Sequence, residues 1–443
     1  MTIEEQKRRL HTTSALCPQC LKELAAEVYE DDEGAVWMER TCPDHGYVTT
    51  RIWPDAEHYT WLRSLAFPPV SPDERDTVPA DKPCPMGCGV CSRHVRRGTL
   101  LEIEVTQKCN LHCPVCFMSA EDGTGDPTFA EIDAMYDTIA RAVGTDGAVQ
   151  ITGGEPTCRH DLADIIARGR EKGFWGIEIN TNGLVIAASD GYLETLVAAG
   201  LTGVYLSFDG LTDEVYEATC GSRILDRKLK VVERCRAAGV QCVLAATVVS
   251  GVNDMQLGDI LRFALDNADV VAGLALQPAF TSGRFEASRV IPLTMGDVIF
   301  ELAQQSDGLL EPYDIWPLGC SHPLCDTGTF LVKSDTVSHP SGFFPATRNL
   351  TRESYLEGYD PSSPQGSVFL DILTKQGVEV ASGLSLIIMN YMDAASMDTQ
   401  RLRECSMLVA TPDGRTIPFC SYHLTNTAGA RVYPPWCKPE LAR

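Results

Sequence analysis

Basic charge is scarce in this sequence: 37 Lys and Arg stand against 60 Asp and Glu, a formal net charge of −23. Such a surface repels phosphate backbones, which argues against non-specific nucleic-acid binding and against charge-driven docking on an anionic membrane. Long apolar runs are missing as well. No run of 18 or more apolar residues occurs, so no segment reads as a transmembrane helix. The segment Met1–Leu10 lacks the basic-then-apolar order of a secretory signal. Eighteen cysteines in a chain of that kind point to metal chemistry in a reducing, cytoplasmic setting rather than to disulfides. The 443 residues exceed one ordinary domain, and a 44% hydrophobic content can fill a core.

The cysteines fall into patterns. Cys109, Cys113 and Cys116 form a C-x3-C-x2-C stretch just after the β-like run Leu101–Val105. Thiolates at this density favour an iron–sulfur cluster or zinc. Three ligands rather than four leave one iron of a cluster open to a small molecule. A zinc knuckle or plain buried thiols is the blander alternative.

Upstream, Cys17-Pro18-Gln19-Cys20 and Cys42-Pro43-Asp44-His45 match a zinc ribbon with Cys3His ligation, expected over residues 11–52. Iron in a rubredoxin-like site is the competing reading. Short strands are expected on both sides of the turn Asp31–Gly34. Residues 53–98 read as a Pro-rich, acidic linker, from Trp53-Pro54-Asp55 through Phe67-Pro68-Pro69 to Pro79-Ala80-Asp81. The linker ends in a second C-x3-C-x2-C, formed by Cys84, Cys88 and Cys91. Its glycines let backbone wrap a cluster, so these three read as ligands of an auxiliary cluster or of a second zinc.

From residue 99 to 285 strand and helix alternate. Strands are predicted at 101–105, 148–151, 176–179, 204–208, 241–248 and 273–276. The first helix carries Ile132, Met135, Tyr136, Ile139 and Val143 on one face behind a Thr128-x-x-Glu131 capping box. Later helices are expected near 161–172, 190–199, 224–238 and 255–267. Repeated strand–helix units imply an α/β fold with a parallel sheet, either open and doubly wound or a partial barrel. Sites in such folds lie at the carboxyl ends of strands. Those ends carry Gly153, Gly154 and Glu155, then Asn182, Ser207, Asp209, Thr247 and Gln277. Each polar one could equally cap a helix or turn.

Cys235 and Cys242 read as core thiols, and Cys158 and Cys220 as plain ones. Past residue 290 the alternation fades into a Cys-rich region, 286–443. Setting aside the ribbon, the Cys109–Cys116 stretch and the four plain thiols leaves eight of the eighteen: Cys84, Cys88, Cys91, Cys320, Cys325, Cys405, Cys420 and Cys437. Eight would ligate two four-cysteine clusters.

With Phe117 after its third cysteine and Gly153-Gly154-Glu155-Pro156 ending the next strand, the chain resembles the radical S-adenosylmethionine (SAM) enzymes. Ala410–Cys420, Cys88-Gly89-Val90-Cys91-Ser92-Arg93-His94 and the ribbon narrow the resemblance to one subfamily. It includes tetraether lipid synthases and 6-hydroxymethylpterin methyltransferases. The resemblance implies a partial (β/α)6 barrel, with Cys109, Cys113 and Cys116 holding a [4Fe–4S] cluster whose fourth iron is chelated by SAM. Reduction by a low-potential donor such as flavodoxin or ferredoxin would cleave SAM to a 5′-deoxyadenosyl radical, which takes hydrogen from an unactivated carbon. It further implies that Glu155, with Gly153 and Gly154, binds the SAM amino group and that Phe117 lies beside adenine. The rim residues Asn182, Ser207, Asp209, Thr247 and Gln277 would bond ribose, carboxylate or substrate. The expected outcome is C–C bond formation, by alkyl coupling or methylation, on a lipid or pterin-like substrate. Alternatives are a radical SAM dehydrogenase or peptide-modifying enzyme and, outside catalysis, an iron–sulfur electron carrier. A carrier needs no SAM site, so the glycine and rim motifs weigh against it.

Overall fold

The computed structural model describes residues 7–68, 82–89, 91–119, 125–285, 292–335, 337–358, 374–375 and 383–438. The linker prolines Pro69 and Pro79 lie outside the described residues, as does Val90 of the second cysteine motif.

The chain begins with an antiparallel meander, β1 (Arg8–Leu16), β2 (Glu23–Glu30), β3 (Val36–Cys42) and β4 (Gly46–Trp53). The first and third turns of a meander share one end, which brings Cys17 and Cys20 to Cys42 and His45. Helix α1 (Ala56–Ser64) follows, its first turn capped by Asp55, which accepts from the His58 N–H at 2.7 Å. Ion pairing and backbone contacts fasten the meander to the rest of the molecule. Arg51 grips Asp297 through two bonds of 3.0 and 2.8 Å, and Arg40 donates to the Ala395 carbonyl at 2.6 Å.

Six parallel strands form the centre: β5 (Leu100–Glu104), β7 (Ala148–Thr152), β8 (Gly176–Thr181), β9 (Gly203–Ser207), β10 (Gln241–Val248) and β11 (Val271–Pro278). A two-residue strand β6 (Val115–Cys116) pairs with β12 (Arg284–Phe285) beside them. The connecting helices are α2 (Phe129–Val143), α3 (Leu162–Glu171), α4 (Leu184–Ala188), α5 (Tyr192–Ala198), α6 (Asp213–Cys220), α7 (Leu225–Ala238) and α8 (Leu257–Asp266). Helix α2 starts at the expected capping box, Thr128 with Glu131. Side chains alternate across each strand. Leu101, Ile103, Val149, Ile151, Ile177 and Ile179 are buried in the main apolar core. Glu102, Gln150, Glu178 and Asn180 take the opposite, inner face.

The C-terminal region extends this sheet at both edges. After α9 (Met295–Gln305) come β13 (Trp316–Pro317), β14 (Asp326–Lys333), β15 (Phe343–Pro345), α10 (Arg352–Glu357) and β16 (Gly383–Met389). Strand β16 runs parallel to β11, and β14 closes against it antiparallel. A short helix Thr399–Leu402 leads into β17 (Met407–Ala410), which runs parallel to β5 on the opposite edge, followed by β18 (Thr416–Pro418). The sheet order β13-β14-β16-β11-β10-β9-β8-β7-β5-β17-β18 has two free ends. The sheet is mixed and does not close, in keeping with the expected partial barrel, and the change of pattern near residue 285 is not a break in the sheet.

Candidate active site and metal centres

Cys17, Cys20, Cys42 and His45 converge with all four ligand atoms within 4.8 Å of one another. The Sγ atoms of Cys17 and Cys42 each lie 3.4 Å from His45 Nδ1, and Cys20 lies 3.8 Å from Cys42. A tetrahedral zinc ion, with bonds near 2.3 Å to sulfur and 2.0 Å to nitrogen, sets ligand-to-ligand edges of about 3.5–3.8 Å. The set fits zinc and leaves no open coordination position.

A cavity of about 230 Å³ opens at the carboxyl ends of the parallel strands. Cys109, Cys113 and Cys116 line it from the loop after β5, and Gly153, Gly154 and Glu155 line it from the end of β7. The two glycines are required by the chain itself. At Gly153 (φ +134°) an added Cβ would come within 2.4 Å of the Thr106 carbonyl oxygen, and at Gly154 within 2.4 Å of that of Lys108. Bonds of 2.8 Å from Gly154 N to Thr106 O and from Glu155 N to Lys108 O clamp this loop to the segment entering Cys109. The close approach is between two loops, so the glycines set the position of the cysteines.

Glu155 is a brace in the same loop. Its Oε1 accepts from the Thr157 N–H (3.1 Å), the Thr157 hydroxyl (2.6 Å) and the Thr181 hydroxyl (2.7 Å), and its Oε2 accepts from the Asn182 N–H (2.7 Å). Oε1 is crowded by three donors, whereas Oε2, with one, keeps a lone pair for a further donor. Asn182 Nδ2 reaches Asn110 Oδ1 at 2.7 Å, tying the end of β8 to the cysteine loop.

Phe117, Asn182, Ser207, Thr247 and Gln277 all line the cavity. Asp209 does not. It is buried behind the rim, accepting from the Thr247 N–H at 3.0 Å and the Thr219 hydroxyl at 2.9 Å, so it joins the ends of β9 and β10. The motif placed it at the rim because sequence position cannot tell a side chain facing the cavity from one folded back beneath it. Lys228, from α7, completes this support. Its buried ammonium donates to the Asn182 and Ser207 carbonyls, both at 2.8 Å, and burial lowers its pKa. Cys113 and Leu111 pack against Tyr216 and Cys220 of α6.

One wall of the cavity is aromatic and comes largely from the C-terminal region. Phe117 stacks on Phe280 at 5.8 Å and meets Phe419 edge-on at 5.3 Å, while Tyr391 bridges Phe280 and Phe419. The floor is polar. Gln150 donates to Glu178 at 3.0 Å and accepts from Asn180 at 3.3 Å, and Gln277 donates to the Tyr205 hydroxyl at 3.0 Å. Glu102, beside Gln150 in the sheet, is only 3% exposed, and its Oε2 has no hydrogen-bond partner. Burial, with Glu104 nearby, pushes its carboxyl up to about 8. Sequence reading missed this floor, because Leu101-Glu102-Ile103-Glu104 has the alternation of any strand with one wet face.

The remaining cysteines gather behind the aromatic wall. Cys84, Cys88 and Cys420 are buried in one apolar cluster, with Cys405 and Cys437 packed against it. Tyr433 holds the linker loop by accepting from the Cys88 N–H (2.6 Å) and donating to the Pro85 carbonyl (2.7 Å). Burial first, then Cys420 and Cys325, push the Cys405 thiol well up, and the Arg401 guanidinium lies 3.4 Å from Cys325 Sγ. Cys320 contacts Asp326 at 3.4 Å, and Cys91 is buried at the end of the linker motif. Cys235 and Cys242 are buried in the main core, away from these groups. None of the eighteen cysteines is in a disulfide. Outside the ribbon, no three His, Cys, Asp or Glu among the described residues hold ligand atoms within 4.8 Å of one another. A lone ion would need that proximity, whereas a four-iron cluster sits between its thiolates and holds them further apart.

A model of the radical SAM superfamily matches residues 103–264, and one of the HMPTM N-terminal zinc ribbon domain matches residues 9–54. The 7,8-dihydro-6-hydroxymethylpterin dimethyltransferase of Methanocaldococcus jannaschii is 31% identical over 93% of this chain and 93% of its own. The chain belongs to the radical SAM superfamily. A radical SAM enzyme of this kind uses a [4Fe–4S] cluster and SAM, and three cysteines on one cavity wall suit a cluster that keeps one iron for a ligand. A GTP 3′,8-cyclase from Paenarthrobacter nicotinovorans is 34% identical over 43% of this chain and 54% of its own length. Among solved structures, Streptococcus suis SuiB bound to S-adenosylmethionine is 18% identical, covering 48% of each chain with a TM-score of 0.41. No helix among the described residues is long and apolar enough to cross a membrane.

Proposed function

We propose that this radical SAM enzyme methylates a carbon of a reduced, pterin-like ring. The observation that carries the reading is the similarity to the pterin dimethyltransferase over 93% of each chain. Cys109, Cys113 and Cys116 hold the cluster in this reading. When bound and reduced, cluster and SAM supply a 5′-deoxyadenosyl radical that takes hydrogen from carbon. The free acceptor site on Glu155 takes the SAM ammonium, while Asn182, Ser207 and Thr247 bond its ribose and carboxylate. Phe117 packs beside the adenine, and Gln277 faces the substrate. Asp209 and Lys228 act from behind by fixing the rim.

Cys84, Cys88, Cys91, Cys320, Cys325, Cys405, Cys420 and Cys437 supply two auxiliary [4Fe–4S] clusters, and a low-potential flavodoxin or ferredoxin supplies the electron. Eighteen cysteines without a disulfide suit the reducing cytoplasm.

The floor favours a ring over an alkyl chain. Glu102 Oε2 and Asn180 Oδ1 are both buried acceptors without partners. A hydrocarbon laid on them leaves each unpaired, at about 1–3 kcal/mol apiece, whereas a nitrogen-rich ring pairs them.

The test is an anaerobic assay of the metal-loaded protein with SAM, dithionite and 7,8-dihydro-6-hydroxymethylpterin. Mass spectrometry should find 5′-deoxyadenosine and a methylated pterin, and Cys113→Ala should abolish both. Deoxyadenosine formed only with lipid extract, with the pterin unchanged, would overturn the pterin reading.

A further inference from the structure

Three carboxylates occupy the inner face of the first strands of the sheet, and two are already engaged away from the cavity. Glu178 accepts from Gln150 at 3.0 Å, and Glu104 accepts from the Tyr422 hydroxyl at 3.2 Å. Glu104 also has an unpaired oxygen, Oε1, 3.3 Å from His423 Nε2, but it does not line the cavity. Glu102 does: it is 3% exposed and has an acceptor oxygen that no donor reaches. Buried acceptors of this kind are costly unless something pairs them. On the far side of Gln150, Asn180 also lines the cavity and also has an orphaned acceptor, Oδ1. Its amide orientation is fixed by the network. Gln150 spends its Nε2 on Glu178, so its Oε1 needs the Asn180 amino group, and Asn180 Oδ1 is left over. With Glu102 ionised, the floor asks for donors only.

The lining excludes phosphorylated ligands. No Lys or Arg among the described residues lines the cavity, so a phosphate or triphosphate entering it meets no counter-ion. The aromatic wall of Phe280, Tyr391 and Phe419 offers flat faces for a ring. What fits is an uncharged heterocycle with adjacent N–H groups on one edge.

We propose that Glu102 is the specificity-determining residue of this cavity: it carries a proton without ligand, gives it up to solvent on binding, and as a carboxylate receives the paired N–H donors of a 2-amino-4-oxopyrimidine edge while Asn180 takes a third. Pterins and guanine share that edge, and the absence of counter-ions selects the unphosphorylated member. The inference rests on the cavity being the substrate site of the proposed function and names the feature of the substrate that the site reads.

The test measures equilibrium binding to the full-length, anaerobically reconstituted enzyme with SAM present. The probes are 7,8-dihydro-6-hydroxymethylpterin, its analogue with the 2-amino group replaced by oxygen, guanosine, and GTP. Hydrogen bonds to a charged group predict that the wild type prefers the 2-amino pterin over its 2-oxo analogue by about 10- to 100-fold. Glu102→Gln, which swaps one acceptor oxygen for a donor, should flatten that preference, and GTP should bind more weakly than guanosine. Equal wild-type affinity for the 2-amino and 2-oxo rings, with the pterin still methylated, overturns the role of Glu102 and leaves the function standing. Glu102-dependent binding of guanosine without binding of the pterin overturns the pterin reading and supports the role. Failure of every 2-amino ring to bind overturns the role outright. The ring comparison uses the wild type alone, so it stands even if the variant does not fold.

Discussion

A carboxyl as buried as Glu102 keeps its proton at pH values where the unfolded chain has lost it, and this ties stability to pH. The ordinary value is 4.5, and burial raises the folded one to about 8. Below pH 4.5 the group is protonated in both states and has no effect. As pH rises from 4.5 to 8 the unfolded chain releases its proton and the folded one does not, so the folded state loses ground throughout that window and levels off above it. The groups facing Glu102 are Glu104 on its own strand, Tyr205 and Glu178 across the floor, and Tyr391 from the C-terminal region, and none is basic. Glu104, raised to about 7 by burial against the opposing pull of Arg431 and Tyr422, adds a slope of the same sign. Glu102→Gln removes only the Glu102 share. Melting temperatures of variant and wild type should agree near pH 4.5 and separate steadily towards pH 8, where the variant is the more stable. Parallel curves across that range would show that Glu102 does not hold its proton in the folded protein.

At the level of elements, the ribbon and the first six parallel strands were legible because their signals are local. A C-x2-C and a C-x2-H knuckle in the first and third turns of a meander, which share one end, can close on one ion with little help from elsewhere. The strand–helix alternation announces itself through two periodicities. The C-terminal strands carry no comparable signal. Strand β17 is four residues long and pairs with β5, some three hundred positions earlier, so its register depends on a partner that no window contains. Lys228 was hidden for a related reason, since a lysine on an amphipathic helix reads as solvated unless the loops above it are known. The ribbon also offers an elemental test. Cys42→Ser leaves three ligands and should release zinc while iron content stays that of the wild type, as read by elemental analysis of the anaerobic protein. Because Arg40 and Arg51 fasten the meander to Ala395 and Asp297, the variant should also become more sensitive to proteolysis in β1–β4. Full zinc retention would remove Cys42 from the ligand set.

Across the whole molecule, the sheet argues that residues 99–285 are not an independent domain, although the sequence pattern sets them apart. Strand β16 covers the edge of β11 and β17 covers the edge of β5, so removing the C-terminal region bares both edges of a parallel sheet at once. Strand β11 is apolar and buried along most of its length, the kind of edge that recruits other chains. The same cut strips Tyr391 and Phe419 from the cavity wall and removes α9, which is packed into the main core through Met295, Val298, Ile299 and Leu302. A fragment of residues 99–285 should therefore aggregate or bind a hydrophobic dye without a cooperative thermal transition. In the full chain, the parallel sheet and the C-terminal strands should unfold together. A monomeric fragment with a sharp transition of its own would show that the edges tolerate exposure. The C-terminal strands would then be an addition to a finished sheet rather than part of what makes it fold, and the aromatic wall they bring could be exchanged without disturbing the cysteine loop. If the fragment fails as expected, wall, floor and cysteine loop form one cooperative unit.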